Sequence, residues 1–408
     1  ADVPSGVPIL GAAKLTGLVR GWNLGVMGAV TRREQARLAL DDQRFHKEVE
    51  PFAGYGVVRL QRDVAGGRHG IGFLATRLQR GFQDETLRDQ FNADATLLGL
   101  DGWVTLDADR EWVMSGWGTF SRISGSAARI AAVQAGPTHY FQRPDAGHVE
   151  LDPSRTSLTG SLARLTLNRQ RGSVLFNAAV GAVTPGYDNN DLGYVGRTDL
   201  INAHISSGYR WTRPTSWYNN ARVQFATFGR WDFEGNRTGL GLWNNSNISW
   251  KNFSSSWVGF FAQTASTNTR ATRGGPELRA PGAIEVFAGW ESDGRKSLQF
   301  SVEGGINHSG EDDGGGHYIT PSVSWRPATN VILSVGPQYN YSRNGSQFLQ
   351  SVADPLATAT FGRRYVFGDL AQHTLSANLR FNWIFSPRLS FEMFAQPLVS
   401  SGAYRRVR

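Results

Sequence analysis

From Thr374 to Phe385 the sequence alternates. Leu375, Ala377, Leu379, Phe381, Trp383 and Phe385 fall on one side, and Thr374, Ser376, Asn378, Arg380 and Asn382 on the other. Successive side chains of a strand point to opposite faces, so this period makes a strand with one lipid-like and one water-like face. The same pattern sets Leu298, Phe300, Val302 and Ile306 against Gln299, Ser301, Glu303 and Asn307. It also sets Ile201, Ala203, Ile205, Tyr209 and Trp211 against Asn202, His204, Ser206 and Arg210. A soluble β-sandwich alternates in the same way, with its polar face toward bulk solvent, so the connections have to separate the two architectures.

Tight connections rich in Gly, Pro, Asn and Ser fall at 63–67, 169–172, 213–216, 252–255, 292–295, 327–330 and 386–388. They alternate with longer polar segments at 32–50, 81–90, 121–156, 184–199, 267–282, 307–316 and 342–362. Short connections at one end and long ones at the other are the pattern of outer-membrane barrels. The hairpins predict an all-β, antiparallel transmembrane outer-membrane β-barrel of about 18 strands, each with the ~9 to 11 residues that cross a bilayer at a tilt. Residues 1–408 are expected to form one barrel domain. The short connections should lie on the periplasmic side, opposite the loops that contain Asp188 and Asp312.

Composition agrees with this. The chain holds 48 Gly, 13 Trp, 23 Phe and 11 Tyr beside 3 Met and no Cys, yet its mean hydropathy is −0.34. A barrel with an apolar outer wall, aromatic girdles and a polar lumen averages to such a value. Trp22, Trp103, Trp112, Trp211, Trp217, Trp250, Trp257, Trp290, Trp325 and Trp383 fall near strand ends or on apolar faces, as girdles require. No run approaches the ~18 apolar residues of a membrane-spanning helix. A propeller is excluded because no motif recurs at a period of about 40 residues. The absence of Cys suits an exported chain. The net charge is +8, but the 42 Lys and Arg residues are scattered singly, so no nucleic-acid partner is expected. The opening Ala-Asp-Val-Pro-Ser-Gly is no signal peptide, and a mature form or a fragment is expected.

Several stretches resemble a large bacterial family in which a module like a family 9 carbohydrate-binding domain precedes a long C-terminal domain of unknown function, expected to be an outer-membrane barrel. They are Ile9 to Gly17, Val49-Glu50-Pro51, Arg59 to Asp63, Tyr140 to Ala146, Pro185-Gly186-Tyr187 with Asn190 to Tyr194, Arg273 to Pro276, and Phe394 to Pro397. They span nearly the whole chain in order. The resemblance implies a barrel, with further sequence before and after it. It carries over no catalytic residue.

The polar-face cations Arg164, Arg169, Arg210, Arg222, Arg326 and Arg380, with the anions Glu303 and Glu392, are the candidate lining of the lumen. Such a lining favours anionic or hydroxyl-rich solutes; pairs bracing each other across the lumen are the plainer reading, and both can hold. In 121–156, the good helix formers of Ser126 to Gln134 lie between Gly125 and Gly136-Pro137. This segment either folds into the lumen as a constriction or packs on the rim. Its candidate contact residues are Arg129, Tyr140, Phe141, Arg143 and Asp145. In the inward arrangement Arg164 and Arg210 would meet Asp145 or Glu150.

Asp188-Asn189-Asn190-Asp191 and Glu311-Asp312-Asp313 carry the oxygen donors that calcium prefers, but solvated turns explain both runs better and no metal is expected. His139, His148 and His204 form no zinc pair. With no nucleophile elbow and no phosphate-binding loop, an enzyme is not expected, nor is a cofactor. The sequence therefore reads as a channel or transporter of the cell outer membrane for small hydrophilic or carbohydrate-like solutes. Its expected partners are the bilayer, lipopolysaccharide, a saccharide or small anionic solute, and other envelope proteins. The rival reading is a surface-anchored saccharide-binding protein or barrel-embedded hydrolase.

Overall fold

The computed structural model describes residues 2–40, 43–310 and 314–408. Its strands are β1 (Ile9–Val19), β2 (Trp22–Thr31), β3 (Glu34–Leu40), β4 (Gln43–Glu50), β5 (Phe52–Val64), β6 (His69–Gly81), β7 (Asp94–Thr105) and β8 (Trp112–Ser124). There follow β9 (Ser157–Arg169), β10 (Val174–Val183), β11 (Leu200–Trp211), β12 (Tyr218–Trp231), β13 (Arg237–Trp250), β14 (Ser255–Gln263), β15 (Ser266–Asn268) and β16 (Leu278–Ala280). The last are β17 (Ala283–Glu291), β18 (Leu298–Ser309), β19 (Gly314–Ala328), β20 (Val331–Ala353), β21 (Arg363–Ser386), β22 (Leu389–Ala395) and β23 (Leu398–Arg405). Two α-helices, α1 (Glu85–Arg88) and α2 (Ala127–Ala135), sit in connections. No described helix is long and apolar enough to cross a membrane.

Nineteen strands make one sheet, each antiparallel to its neighbour in a simple meander; β3–β4 and β15–β16 form separate small hairpins. β22 and β23 both pair with β21, at 379–386 and 369–376, and are one strand broken at Gln396-Pro397. Proline has no N–H to give to a ladder, which accounts for the break. The sheet thus has about the 18 strand positions that the hairpin rhythm predicts. Among the described residues no pairing joins β1 to β22 or β23, and the barrel is not closed.

Register carries two distinct faces through the sheet. On one, Leu78 of β6 lies opposite Ala95 of β7, which lies opposite Ile123 of β8, itself opposite Leu158 of β9. Residues 125–156 pack on this inner face, where Ile130, Val133 and Phe141 join those four residues and Ala53 in the buried apolar cluster. The other, outer face is apolar but uncovered: Leu100 is 61% exposed, Leu242 55%, Ile306 66% and Leu375 56%. Leu298, Phe300, Ile201, Ala203, Leu379 and Phe381 belong to the outer face by register, and Gln299, Glu303, Asn202, His204, Arg380 and Asn382 to the inner one.

Several expectations about the strands and their connections need correction. Segment 32–50 is no irregular loop: β3 and β4 pair there, with residues 41 and 42 outside the described residues. In 342–362 the strands β20 and β21 run on past two register shifts, leaving a connection of 354–362. In 307–316 the strands extend to Ser309 and from Gly314, and Glu311-Asp312-Asp313 lie outside the described residues. The girdle assignment fails for Trp103 and Trp257, which register with Gly70 and Gly289 on the inner face. A Cβ on Gly70 would lie 2.1 Å from the Trp103 ring, so each indole rests on the backbone of the next strand, where only glycine leaves room.

Candidate functional site: the inner face and residues 125–156

Ser126 caps α2: its Oγ accepts from Arg129 N at 3.0 Å and donates to Asp89 Oδ1 at 2.6 Å. Gly136 ends the helix. Ile130 and Val133 face Leu78 and Ile123, and the buried Gln134 amide holds the returning chain. Gln134 Nε2 donates to the Asp152 carbonyl at 2.9 Å, and its Oε1 accepts from Asp152 N at 3.0 Å. A buried amide satisfied on both sides fixes one position for the segment. The expected segment begins four residues early, because 121–124 belong to β8.

Beyond the helix lies a buried ionic centre. Arg143 is almost wholly buried and approaches Asp145 at 3.5 Å, Asp199 at 3.8 Å and Glu277 at 4.0 Å. His148 approaches Asp199 at 2.9 Å and Glu234 at 3.4 Å. Glu234 Oε1 accepts from Gly147 N at 3.0 Å, and Asp145 Oδ2 accepts from Glu277 N at 2.5 Å. Arg270 lies over the Tyr140 ring at 5.0 Å, and Gln142 rests on Gly274, whose φ of +96° no residue with a side chain adopts readily. Burial lowers the proton affinity of both Arg197 and Arg270. Arg273 over Phe348, at 5.0 Å, and Gly275 against Tyr365 carry the contacts to β20 and β21. Contacts therefore run from β5 and β6, through 125–156 and the loop 264–282, to the far strands.

The acidic run 188–191 does not consist of solvated turn residues. Asp188 accepts from His139 at 3.3 Å and, through its backbone N–H, donates to Ser121 Oγ at 3.0 Å. Asp191 is held by Arg80 and by Asn92, each at 2.6 Å. Among the described residues no group of three His, Asp or Glu side chains converges as metal ligands.

Of the candidate lumen residues, Arg164, Arg210, Arg222, Glu303, Arg326, Arg380 and Glu392 all register on the inner face. They do not converge. Arg164 donates to Asn202 at 3.1 Å and approaches His204 at 3.5 Å, and Arg210 donates to the Gly172 carbonyl at 2.9 Å. These contacts stand in place of the expected ones to Asp145 or Glu150. Arg210 lies opposite Arg222; Arg326 donates to the Gly294 carbonyl at the strand end; Glu392 lies opposite Asn382. Glu303 and Arg380 do share a cleft, with Trp257. Arg169 is an outer-face residue, paired with Glu111 and lying over Trp112 at 6.0 Å. Asp199, Glu234, Glu277, Arg197 and Arg270 escaped the sequence reading, because single charges in separate loops carry no motif.

A family model described as a domain of unknown function (DUF5916) matches residues 1–407. The chain belongs to that family. No curated protein matches it in sequence. Among solved structures, a porin refined at 1.8 Å is 9% identical over 78% of this chain and 94% of the porin, with a TM-score of 0.32. That likeness is too loose to argue from; the meander and its two faces define the fold of this DUF5916 chain.

Proposed function

We propose that the chain is an outer-membrane β-barrel channel whose lumen, narrowed by residues 125–156, passes small hydrophilic or carbohydrate-like solutes. The observation that carries this reading is the chemistry of the two faces. A meander of nineteen strands leaves apolar side chains such as Leu100 and Ile306 uncovered on its outer face. A soluble monomer rarely exposes more than roughly a few hundred Å² of contiguous apolar surface, and hydrocarbon is the solvent that such a face suits. The inner face carries Arg, Glu, Asn, Ser and Thr, the lining of an aqueous path. Sheets of ~16 to 18 strands enclose an aqueous channel unless something fills it, and the packing of 125–156 on the inner face supplies such a filling. In this reading the bilayer and lipopolysaccharide contact the outer face, and passage involves no catalysis.

Single-channel recording in planar bilayers tests this. The expected result is discrete conductance steps, with a larger step on deletion of residues 126–134 in a barrel that still inserts. Inserted protein without steps would overturn the channel, and an unchanged step in the deletion variant would overturn the role of 125–156 as its constriction.

A further inference from the structure

On the inner wall of β18 to β21, away from residues 125–156, lies a cleft of 370 Å³, a size within the ~300–1,000 Å³ of small-ligand sites. Its lining includes Trp257, Glu303, Thr320, Ser322, Gln338 and Arg380. Trp257 Nε1 donates to Glu303 Oε2 at 3.0 Å, and the Tyr318 hydroxyl donates to Glu303 Oε1 at 3.4 Å. Trp257 lies against Gly289, where a Cβ would be 2.2 Å from the ring, and Tyr318 lies against Gly305, where it would be 2.6 Å away. The half-buried indole is thus held against the backbone of the neighbouring strand and borders the cleft. Around it stand short hydroxyl and amide side chains linked across strands, Ser301 to Ser322 at 2.7 Å and Ser376 to Gln338 at 3.4 Å. Arg380 lies over the Phe394 ring at 5.1 Å.

We infer that this cleft is a binding subsite for a short neutral saccharide, with Trp257 as the stacking platform and Glu303, Arg380 and the Ser/Thr/Gln side chains as hydroxyl partners. The chemistry selects the class. A sugar ring has an apolar C–H face, which an indole accepts, and an equatorial rim of hydroxyls that both donate and accept. An apolar ligand would take water from these half-buried hydroxyls and from the Glu303 carboxylate and offer no hydrogen bond in return. A multiply charged anion would meet Arg380 but also the Glu303 carboxylate, at a cost. The subsite deepens the channel reading, on which it rests for its access to solute.

Isothermal titration of the full chain in detergent, with maltotriose, cellotriose and xylotriose as probes and inorganic sulfate as the anion control, tests it. At least one trisaccharide should bind in preference to sulfate. Trp257→Ala should weaken that binding about tenfold or more, Trp257→Phe less so, and Glu303→Gln measurably, with the β-sheet dichroism unchanged. If Trp257→Ala fails to fold, Trp257→Phe and Ser322→Ala supply the comparison. Absence of trisaccharide binding to the parent protein, or binding that folded Trp257 and Glu303 variants retain in full, would overturn the subsite. Binding without conductance would overturn the channel and leave the subsite standing; conductance without binding would do the reverse.

Discussion

Arg80 on β6 donates to Asp191 at 2.6 Å across 111 residues of sequence, and the same carboxylate accepts from Asn92, whose own Oδ1 accepts from Arg129 of α2 at 2.8 Å. One carboxylate therefore joins a strand, the 82–93 connection, the helix and the 184–199 loop. Both side chains of the Arg80–Asp191 pair are about nine-tenths buried. Removing one member of such a pair leaves the other charge out of water and uncompensated.

Arg80→Ala should lower the unfolding free energy by about 2–3 kcal/mol, below the full cost of an orphaned buried charge because Asn92 still donates to Asp191. Asp191→Asn, which keeps an acceptor for Arg80, should cost less. Urea unfolding of the folded protein in lipid vesicles measures both; a loss for Arg80→Ala under about 0.5 kcal/mol, the size of an ordinary surface substitution, would contradict the clasp.

Two carboxyls of the loops on the inner face, Glu277 and Asp188, predict a two-step response to acid. Burial, then the neighbouring Asp145 charge, pushes the Glu277 carboxyl above its ordinary value of 4.5, with Arg143 opposing. A raised acid binds its proton more readily folded than unfolded, so packing tightens as pH falls through that raised value. For Asp188, burial pushes upward, but hydrogen bonds from His139 and Asn190 outweigh it and hold the carboxyl below 3.8. Its contribution is complete above 3.8 and is lost as pH falls through the lower folded value. Melting temperature should thus rise slightly on acidification from neutral and fall in stronger acid. Glu277→Gln should remove the rise and keep the fall.

Gly289→Ala should cost about 1–3 kcal/mol and displace the Trp257 ring, since the new Cβ would sit 2.2 Å from it. Gly54→Ala meets nothing within 4 Å and should be close to neutral. Paired melting curves check the contrast; equal losses would mean that Trp257 does not rest on the backbone.

Leu242→Arg, in the middle of β13 on the outer face, should cost about 2–4 kcal/mol in a bilayer. Asn245→Arg, on the same strand but the inner face, should cost little. Folding yield into lipid vesicles at graded urea separates them, and equal penalties would count against lipid on the outer side.

The strands were readable wherever alternation was sustained, as in 374–385, because nothing but a strand uses that period. Glycine obscured the ends. Gly314, Gly315 and Gly316 read as a loop, yet all three are in β19, and glycine is needed at 316 because a Cβ there would lie 2.2 Å from the Tyr341 carbonyl. The helix Ala127–Ala135 was visible from its composition and its flanking glycines. What it packs on was not, since Leu78, Ala95, Ile123 and Leu158 come from four strands that only the register unites. The partners of Arg143 were invisible for the same reason: Asp199 and Glu277 lie far along the chain, and no spacing encodes their meeting.

The rings seated on glycines also bear on how such a sheet could be built. Trp103 on Gly70, Trp257 on Gly289 and Tyr318 on Gly305 each join one strand to a close partner in the meander. A slip of two residues between β14 and β17 keeps both faces correct, so the apolar pattern alone cannot reject it. It would, however, set the indole of Trp257 against Phe287 or Glu291 in place of Gly289, and the slot would be gone. Each ring and slot is a local key to alignment, so a strand added to the growing edge can be proofread against the strand it joins before the rest of the wall exists.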